Sequence, residues 1–217
     1  MSGKRLFIGV RVSTQTANAL AACAEMLQRR SRDAGVDMKW VAPTNYHVTV
    51  KFLGWTRDEA VPALVDALDE ALVGVSPFKV RAARLGAFPS LDKASVVWAG
   101  VEEAAAIGEV AKRIEAACVR LGWPAEARDF HPHITLARLA KTRAISDLVL
   151  PLSEQMFSDS RVDGVTLFES ETKPSGSVYR ELHRITFKSV ENAPKRQTGA
   201  LELGDETDDG WPRGHGQ

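Results

Sequence analysis

Apolar positions recur along this chain with two periods, and those periods divide it into elements. Residues 5–12 (RLFIGVRV) read as a buried strand. The next stretch, TQTANALAACAEMLQRR, sets Leu20, Cys23, Ala24 and Leu27 on one helical stripe. Residues 45–54 (NYHVTVKFLG) alternate as a half-buried strand. Val48, Val50 and Phe52 share its oily side, so parity predicts a core position for Phe52, while His47, Thr49 and Lys51 share the polar side. Thr56-Arg57-Asp58-Glu59 has the form of a capping box, a Thr N-cap with Glu three residues on. Behind it Val61, Leu64, Val65, Leu68 and Leu72 keep helical spacing. Strands are expected near 78–87 and 95–101, joined through FPSLDK, where Pro89 and Asp92 carry turn chemistry. The clearest helix spans 103–121, with Gly122 as terminator.

HPHITLARL is a second short alternating strand, followed by a short helix near 143–149 and strands at about 162–170 and 178–188. From about residue 190 the chain turns rich in Gly, Pro and charge and loses any apolar period. Residues 190–217 are therefore read as a disordered tail behind a single folded unit over 1–189. The order of elements predicts an α+β fold of mainly antiparallel sheets with helices on their outer faces.

Composition sharpens this only a little. At 217 residues, 44% hydrophobic and 26% charged, the chain has the profile of a soluble globular protein. Basic and acidic residues both number 28, which gives no global pull toward nucleic acid. The tail holds six acids (Glu191, Glu202, Asp205, Glu206, Asp208, Asp209) against three bases (Lys195, Arg196, Arg213), so the first 190 residues carry the compensating +3. A mildly cationic body suits a phosphate ligand without demanding one. Cys23 and Cys118 fall on apolar helix faces and read as buried free thiols of a reducing compartment. No stretch approaches the ~20 apolar residues of a membrane span, and the N-terminus lacks the form of a signal peptide, so a cytoplasmic protein is expected.

The chemistry lies in a repetition. His47-Val48-Thr49-Val50 is matched 86 residues later by His133-Ile134-Thr135-Leu136, each His-apolar-Thr-apolar and each in a predicted strand. On a strand, residues i and i+2 share a face about 6.5–7 Å apart, so each motif presents an imidazole and a hydroxyl from a rigid support. Two imidazoles can be neutral and protonated at one pH, one removing a proton and the other delivering one, which suits cleavage of a phosphate ester. Thr hydroxyls can donate to the non-bridging oxygens as charge develops. A solvated polar strand face explains either motif alone but explains their match poorly. A metal site is the sharper rival, because His131 shares a face with His133 and His183 could join them. Only Glu126 and Asp129 lie nearby as carboxylates, and there is no HExxH or carboxylate cluster, so His131 and His183 read as structural or surface residues. No GxSxG occurs, so a serine hydrolase lacks its signature; nor does a P-loop or a GxGxxG turn appear.

These matched motifs resemble those of the two-histidine (2H) phosphoesterase superfamily. The stretches RLFIGVRV, WVAPTNYHVTVKFLG, LGAFPSLDKASVVWAGV, FHPHITLAR and LFESETKPSGSVYREL resemble its RNA 2',3'-cyclic phosphodiesterase branch, also described as 2'-5' RNA ligases. The resemblance implies a two-lobed, pseudo-twofold fold in which each lobe gives one motif strand to a central cleft. It implies opening of a 2',3'-cyclic phosphate to a 2'-phosphate with no metal or other cofactor, His47 acting as proton donor and His133 as proton acceptor. Thr49, Thr135 and Arg138 carry over as phosphate ligands; strict alternation sets Arg138 on the face opposite His133, so a bulge or the strand's end must re-aim it. The implied partners are RNA cyclic-phosphate ends or cyclic nucleotides, with no membrane, and a monomer is expected. End joining at the same site and a non-catalytic nucleotide- or RNA-binding module are the alternatives.

Overall fold

The buried run Leu6-Phe7-Ile8 forms the middle of strand β1 (Gly3–Arg11), which lies inside a nine-stranded sheet. The computed structural model describes residues 2–173 and 176–188; the expected tail at 190–217 lies outside the described residues. After β1 come α1 (Thr14–Asp33), β2 (Met38–Trp40), β3 (His47–Arg57), α2 (Val61–Ala71), β4 (Phe78–Phe88), β5 (Ala94–Glu102) and α3 (Ala105–Arg120). Then follow β6 (His133–Arg143), the one-turn helix α4 (Ser146–Val149), β7 (Met156–Val162), β8 (Gly164–Lys173) and β9 (Gly176–Thr186). The strand order is β7-β4-β5-β6-β3-β1-β8-β9, with β2 added on β6, and the strands pair antiparallel. The fold is thus α+β and mainly antiparallel, as expected, but the two predicted halves share one continuous sheet, joined where β3 meets β6 at Val48–Ile134.

The helices follow from their stripes. Helix α1 starts on Ser13, whose hydroxyl accepts from the Thr16 amide, and buries Leu20, Cys23 and Leu27 over the half built from β4–β7. Helices α2 and α3 pack on each other and on the β3 half through Leu64, Leu68, Ile107, Val110 and Ile114. Burial pushes the free thiols of Cys23 and Cys118 up to about 11. Among the described residues no helix is long and apolar enough to cross a membrane.

Two expectations need correction, and two strands lie outside the expected elements. Thr56 caps no helix: it lies within β3, which stays paired to β1 as far as Gly3–Arg57, and the chain passes through a short 3-10 turn (Asp58–Ala60) before α2. Ladder pairing overrode the local capping pattern. Strands β2 and β7 gave no recognisable period, one being three residues long and the other a polar strand at the sheet's edge. Phe52 is not a core residue but is 63% exposed. The reason is a bulge, which also governs the site.

The two halves share a register. On β1 and β3, Arg11 faces His47, Gly9 faces Thr49, Ile8 faces Lys51 and Phe7 faces Phe52, leaving Val50 without a partner. On β5 and β6, Gly100 faces His133, Trp98 faces Thr135, Val97 faces Ala137 and Val96 faces Arg138, leaving Leu136 without one. The same residue of each motif is therefore the bulged one, and beyond it the facing parity reverses. Lys51 and Ala137 turn to the buried, helix-covered side, whereas Phe52 and Arg138 turn to the side of the histidines. This pseudo-twofold correspondence pairs His47 with His133, Thr49 with Thr135, and Phe52 with Arg138.

Candidate active site

Each histidine is held by the same local device. His47 follows a 3-10 turn (Pro43–Asn45) that places the Asn45 carbonyl beneath the ring, and its Nδ1–H donates to that oxygen at 2.7 Å. His133 Nδ1–H donates to the His131 carbonyl, again two residues back and again at 2.7 Å. Because a carbonyl only accepts, both neutral rings carry their proton on Nδ1 and leave Nε2 free for chemistry. His47 Nε2 lies 3.1 Å from Thr49 Oγ1, whose hydroxyl donates to it while the ring is neutral. Aromatic walls fix both rings: Phe7 and Tyr179 beside His47, with centroids at 4.9 and 5.2 Å, and Phe88 edge-on to His133 at 4.9 Å. Gly9 makes room on the first side, since a Cβ there would press on His47 and Phe7. On the second, Trp98 occupies the space that any side chain at Gly86 would need.

The seam brings the two motifs together. Antiparallel counting from Val48–Ile134 sets His47 across from Thr135 and Thr49 across from His133. Two imidazoles and two hydroxyls thus form one four-membered group on the face away from the helices. Arg138 joins it through the bulge at Leu136 and acts electrostatically on both rings.

Burial lowers His47 below the ordinary imidazole value; the Asn45 hydrogen bond opposes this, and the charges of Arg11, His133 and Arg138 add to it. Burial likewise lowers His133, opposed by its bond to the His131 carbonyl and reinforced by Arg138 and His131. The site without ligand is an excess of positive potential around two neutral rings. A phosphate anion would relieve that excess and make it easier for a ring to hold a proton.

Sequence reasoning missed three contributors. Lys39 on β2 lies directly across from Arg138, so two cations share one ladder position. Such a pair repels unless an anion sits over it; no local pattern in the MKW stretch marks the lysine. Arg11 lies across from His47, donates to Glu181 at 2.6 Å and to the Thr44 carbonyl at 3.2 Å, and stacks over Phe168. Tyr179 comes from β9, at the far end of the sheet order, and could be found only by folding the chain.

Among the described residues the remaining histidines and the motif lysine lie elsewhere. His183 Nε2 meets Asp69 of α2 at 3.1 Å, and exposed His131 contributes its carbonyl to His133. Lys51 turns to the helix side, where Nζ donates to Glu115 at 2.6 Å and to the Pro124 carbonyl at 3.1 Å.

Comparison with known proteins places this geometry. The sequence model of the 2'-5' RNA ligase superfamily matches residues 12–174. A protein of Archaeoglobus fulgidus named RNA 2',3'-cyclic phosphodiesterase is 31% identical over 82% of this chain and 97% of its own length. One of the same name from Methanothermobacter thermautotrophicus is 28% identical, covering 72% of this chain and 86% of its own. Among solved structures, a Thermus thermophilus protein superposes with a TM-score of 0.74 at 26% identity, over 86% of this chain and all of its own. E. coli LigT, solved with 3'-AMP, shares the fold at a TM-score of 0.68 and 22% identity, over 86% of this chain and 99% of its own.

Proposed function

The chain belongs to the 2'-5' RNA ligase superfamily, and from that membership we propose that it is an RNA 2',3'-cyclic phosphodiesterase. It hydrolyses 2',3'-cyclic phosphate ends of RNA, or small cyclic nucleotides, to 2'-phosphates. The observation that carries this reading is the pair of His-x-Thr strands meeting antiparallel, with both Nδ1 atoms pinned to carbonyls so that Nε2 of each neutral ring is unprotonated, that of His47 lying against the Thr49 hydroxyl. The relatives' shared name supports hydrolysis over end joining.

In the proposed reaction, His133 acts as base and takes a proton from water on Nε2. The water oxygen forms a bond to phosphorus as the P–O3' bond breaks. His47, protonated on Nε2, gives its proton to the departing O3', leaving a 2'-phosphate and a free 3'-hydroxyl. Its Nδ1–H stays on the Asn45 carbonyl, so the proton to be transferred is the one beside Thr49. Thr49, Thr135 and Arg138 donate to the non-bridging oxygens, and Lys39 adds a second cation next to Arg138. Proton exchange with solvent resets both rings. The two buried thiols fit a reducing, cytoplasmic setting, and nothing in the reaction calls for a second copy of the chain or for a membrane.

The test is hydrolysis of a 2',3'-cyclic mononucleotide with identification of the product phosphate. A 2'-phosphate formed in the presence of chelator, and lost with His47→Ala or His133→Ala, is the expected result. Full activity in either variant, a 3'-phosphate product, or dependence on added metal would overturn the proposal.

A further inference from the structure

Past the four-membered group β1 keeps strict alternation, and a second bulge at Leu53 of β3 brings Phe52 and Trp55 onto the same uncovered face. Moving out from Arg11–His47, the ladder pairs are Gly9–Thr49, Phe7–Phe52 and Arg5–Trp55. Phe52 is 63% and Trp55 72% exposed, the two most exposed aromatic side chains among the described residues. Both therefore lie on one strand face, next to each other and next to the phosphate-facing threonine. Trp55 is supported rather than free, because its indole lies over Gly3, where a Cβ would collide with the ring. Arg5 and Arg57, which share this face, have no ion-pair partner among the described residues. The acid nearest in sequence, Asp58, is held by Lys4 Nζ at 2.6 Å. Exposed rings interleaved with unpaired arginines are what a single strand of nucleic acid needs: faces for its bases and positive charge for its phosphates.

The spacing fits one nucleotide per ring. Successive ladder pairs on this face are about 6.5–7 Å apart, so a phosphate at Thr49 puts Phe52 within reach of the terminal nucleoside and Trp55 one further step out. The corresponding stretch of the other half has Val96 and Arg138 where Phe7 and Phe52 stand, and among the described residues no exposed ring lies beyond them. We propose that Trp55, with Arg5 and Arg57 beside it, forms a subsite for the nucleotide preceding the cyclic-phosphate end, whose base stacks on the indole one step beyond a terminal base at Phe52. This rests on the phosphodiesterase reading and deepens it by naming the residues that favour an oligonucleotide end over a cyclic mononucleotide.

The test compares adenosine 2',3'-cyclic phosphate with a tetraadenylate ending in the same cyclic phosphate, using the wild type, Trp55→Ala and Trp55→Phe. Loss of one stacking contact corresponds to roughly a tenfold effect. Wild-type kcat/KM is therefore expected to be about tenfold higher on the tetranucleotide. Trp55→Ala closes that gap through KM on the tetranucleotide, and Trp55→Phe restores most of it. Equal kcat/KM on the two substrates in the wild type, or a gap that survives in Trp55→Ala, would overturn the proposal. So would an intact gap together with a Trp55-dependent dimer in sedimentation, which would make the rings a protein interface. No turnover of either substrate by the wild type would instead overturn the phosphodiesterase reading itself.

Discussion

Strands β3 and β6 carry the same local design, and just past the bulge they differ in chemistry at two successive positions that face opposite ways. On the side facing the motif residues, β3 has Phe52 where β6 has Arg138; on the helix side, β3 has Lys51 where β6 has Ala137. What the halves share is the part that moves protons: an imidazole pinned through Nδ1, a hydroxyl two residues on, and an aromatic wall. What they do not share gives the site a direction. In the proposed reading the β6 side, with Arg138 and Lys39, takes the phosphate oxygens, and the β3 side, with exposed Phe52 and Trp55, takes the bases. A symmetric frame thus holds an asymmetric substrate.

The sharpest way to break the comparison is to remove the shared part. His47→Ala and His133→Ala should each lower kcat/KM by about 10²–10⁴-fold on a cyclic nucleotide. The halves then separate in the pH profile. Loss of the proton donor removes the fall in rate at high pH, whereas loss of the acceptor removes the fall at low pH. The same surviving limb in both variants would contradict the assignment of His47 and His133 to opposite roles.

Removing a non-shared residue should cost less. Arg138→Ala is expected to reduce kcat/KM by about 10²-fold, with Arg138→Lys between it and the wild type because the planar fork is lost. Lys39→Ala should show a smaller loss, of about threefold to tenfold. A Lys39 effect equal to that of Arg138 would mean that the two cations act as one unit.

The wild-type pH dependence tests the electrostatics. Burial and neighbouring cations hold both imidazoles below 6.5, so the kcat/KM optimum, which reports the free protein, should fall on the acid side of that value. The optimum in kcat should lie at higher pH, because bound phosphate offsets the charges of Arg138 and Arg11. For stability the sign is the reverse of a histidine that gains an acidic partner. The folded state favours the neutral rings, so their contribution is present above 6.5 and is lost as pH falls through the lowered folded values. A kcat/KM maximum above neutrality would refute this.

The mildest effect on catalysis belongs to the helix side. Lys51→Ala removes the ion-pair partner of Glu115 and should destabilise the fold by about 2 kcal/mol, a fall of about 4–8 °C in Tm. Activity per folded molecule should be retained. Burial pushes the Glu115 carboxyl up, but bonds from Lys51 and the Glu126 amide outweigh it and hold the group below 4.5. Its contribution is therefore present above 4.5 and fades as pH falls below it; the variant should lose that acid-side decline in Tm.

The sequence alone determined the elements with strong periods, the two matched motifs, and which face of each motif strand is polar. Those features are local, since side-chain direction on a regular strand follows from residue count and helix stripes follow from spacing. The resemblance to the 2H phosphoesterases was legible for the same reason, because it rests on short contiguous stretches. Tertiary structure decided the rest. A bulge exists only as a mismatch between two paired strands, so parity placed Phe52 in the core when the missing partner at Val50 turns it outward. That a bulge or the strand's end must re-aim Arg138 could be stated as a condition, but only the pairing of β5 with β6 chose the bulge and located it at Leu136. Lys39, Tyr179 and Arg11 reach the site from three other strands, and a contact between distant segments leaves no trace in the spacing of either one. The local code thus specified the candidate reacting groups, and the pairing of strands specified which flank carries the exposed charge and which the exposed rings.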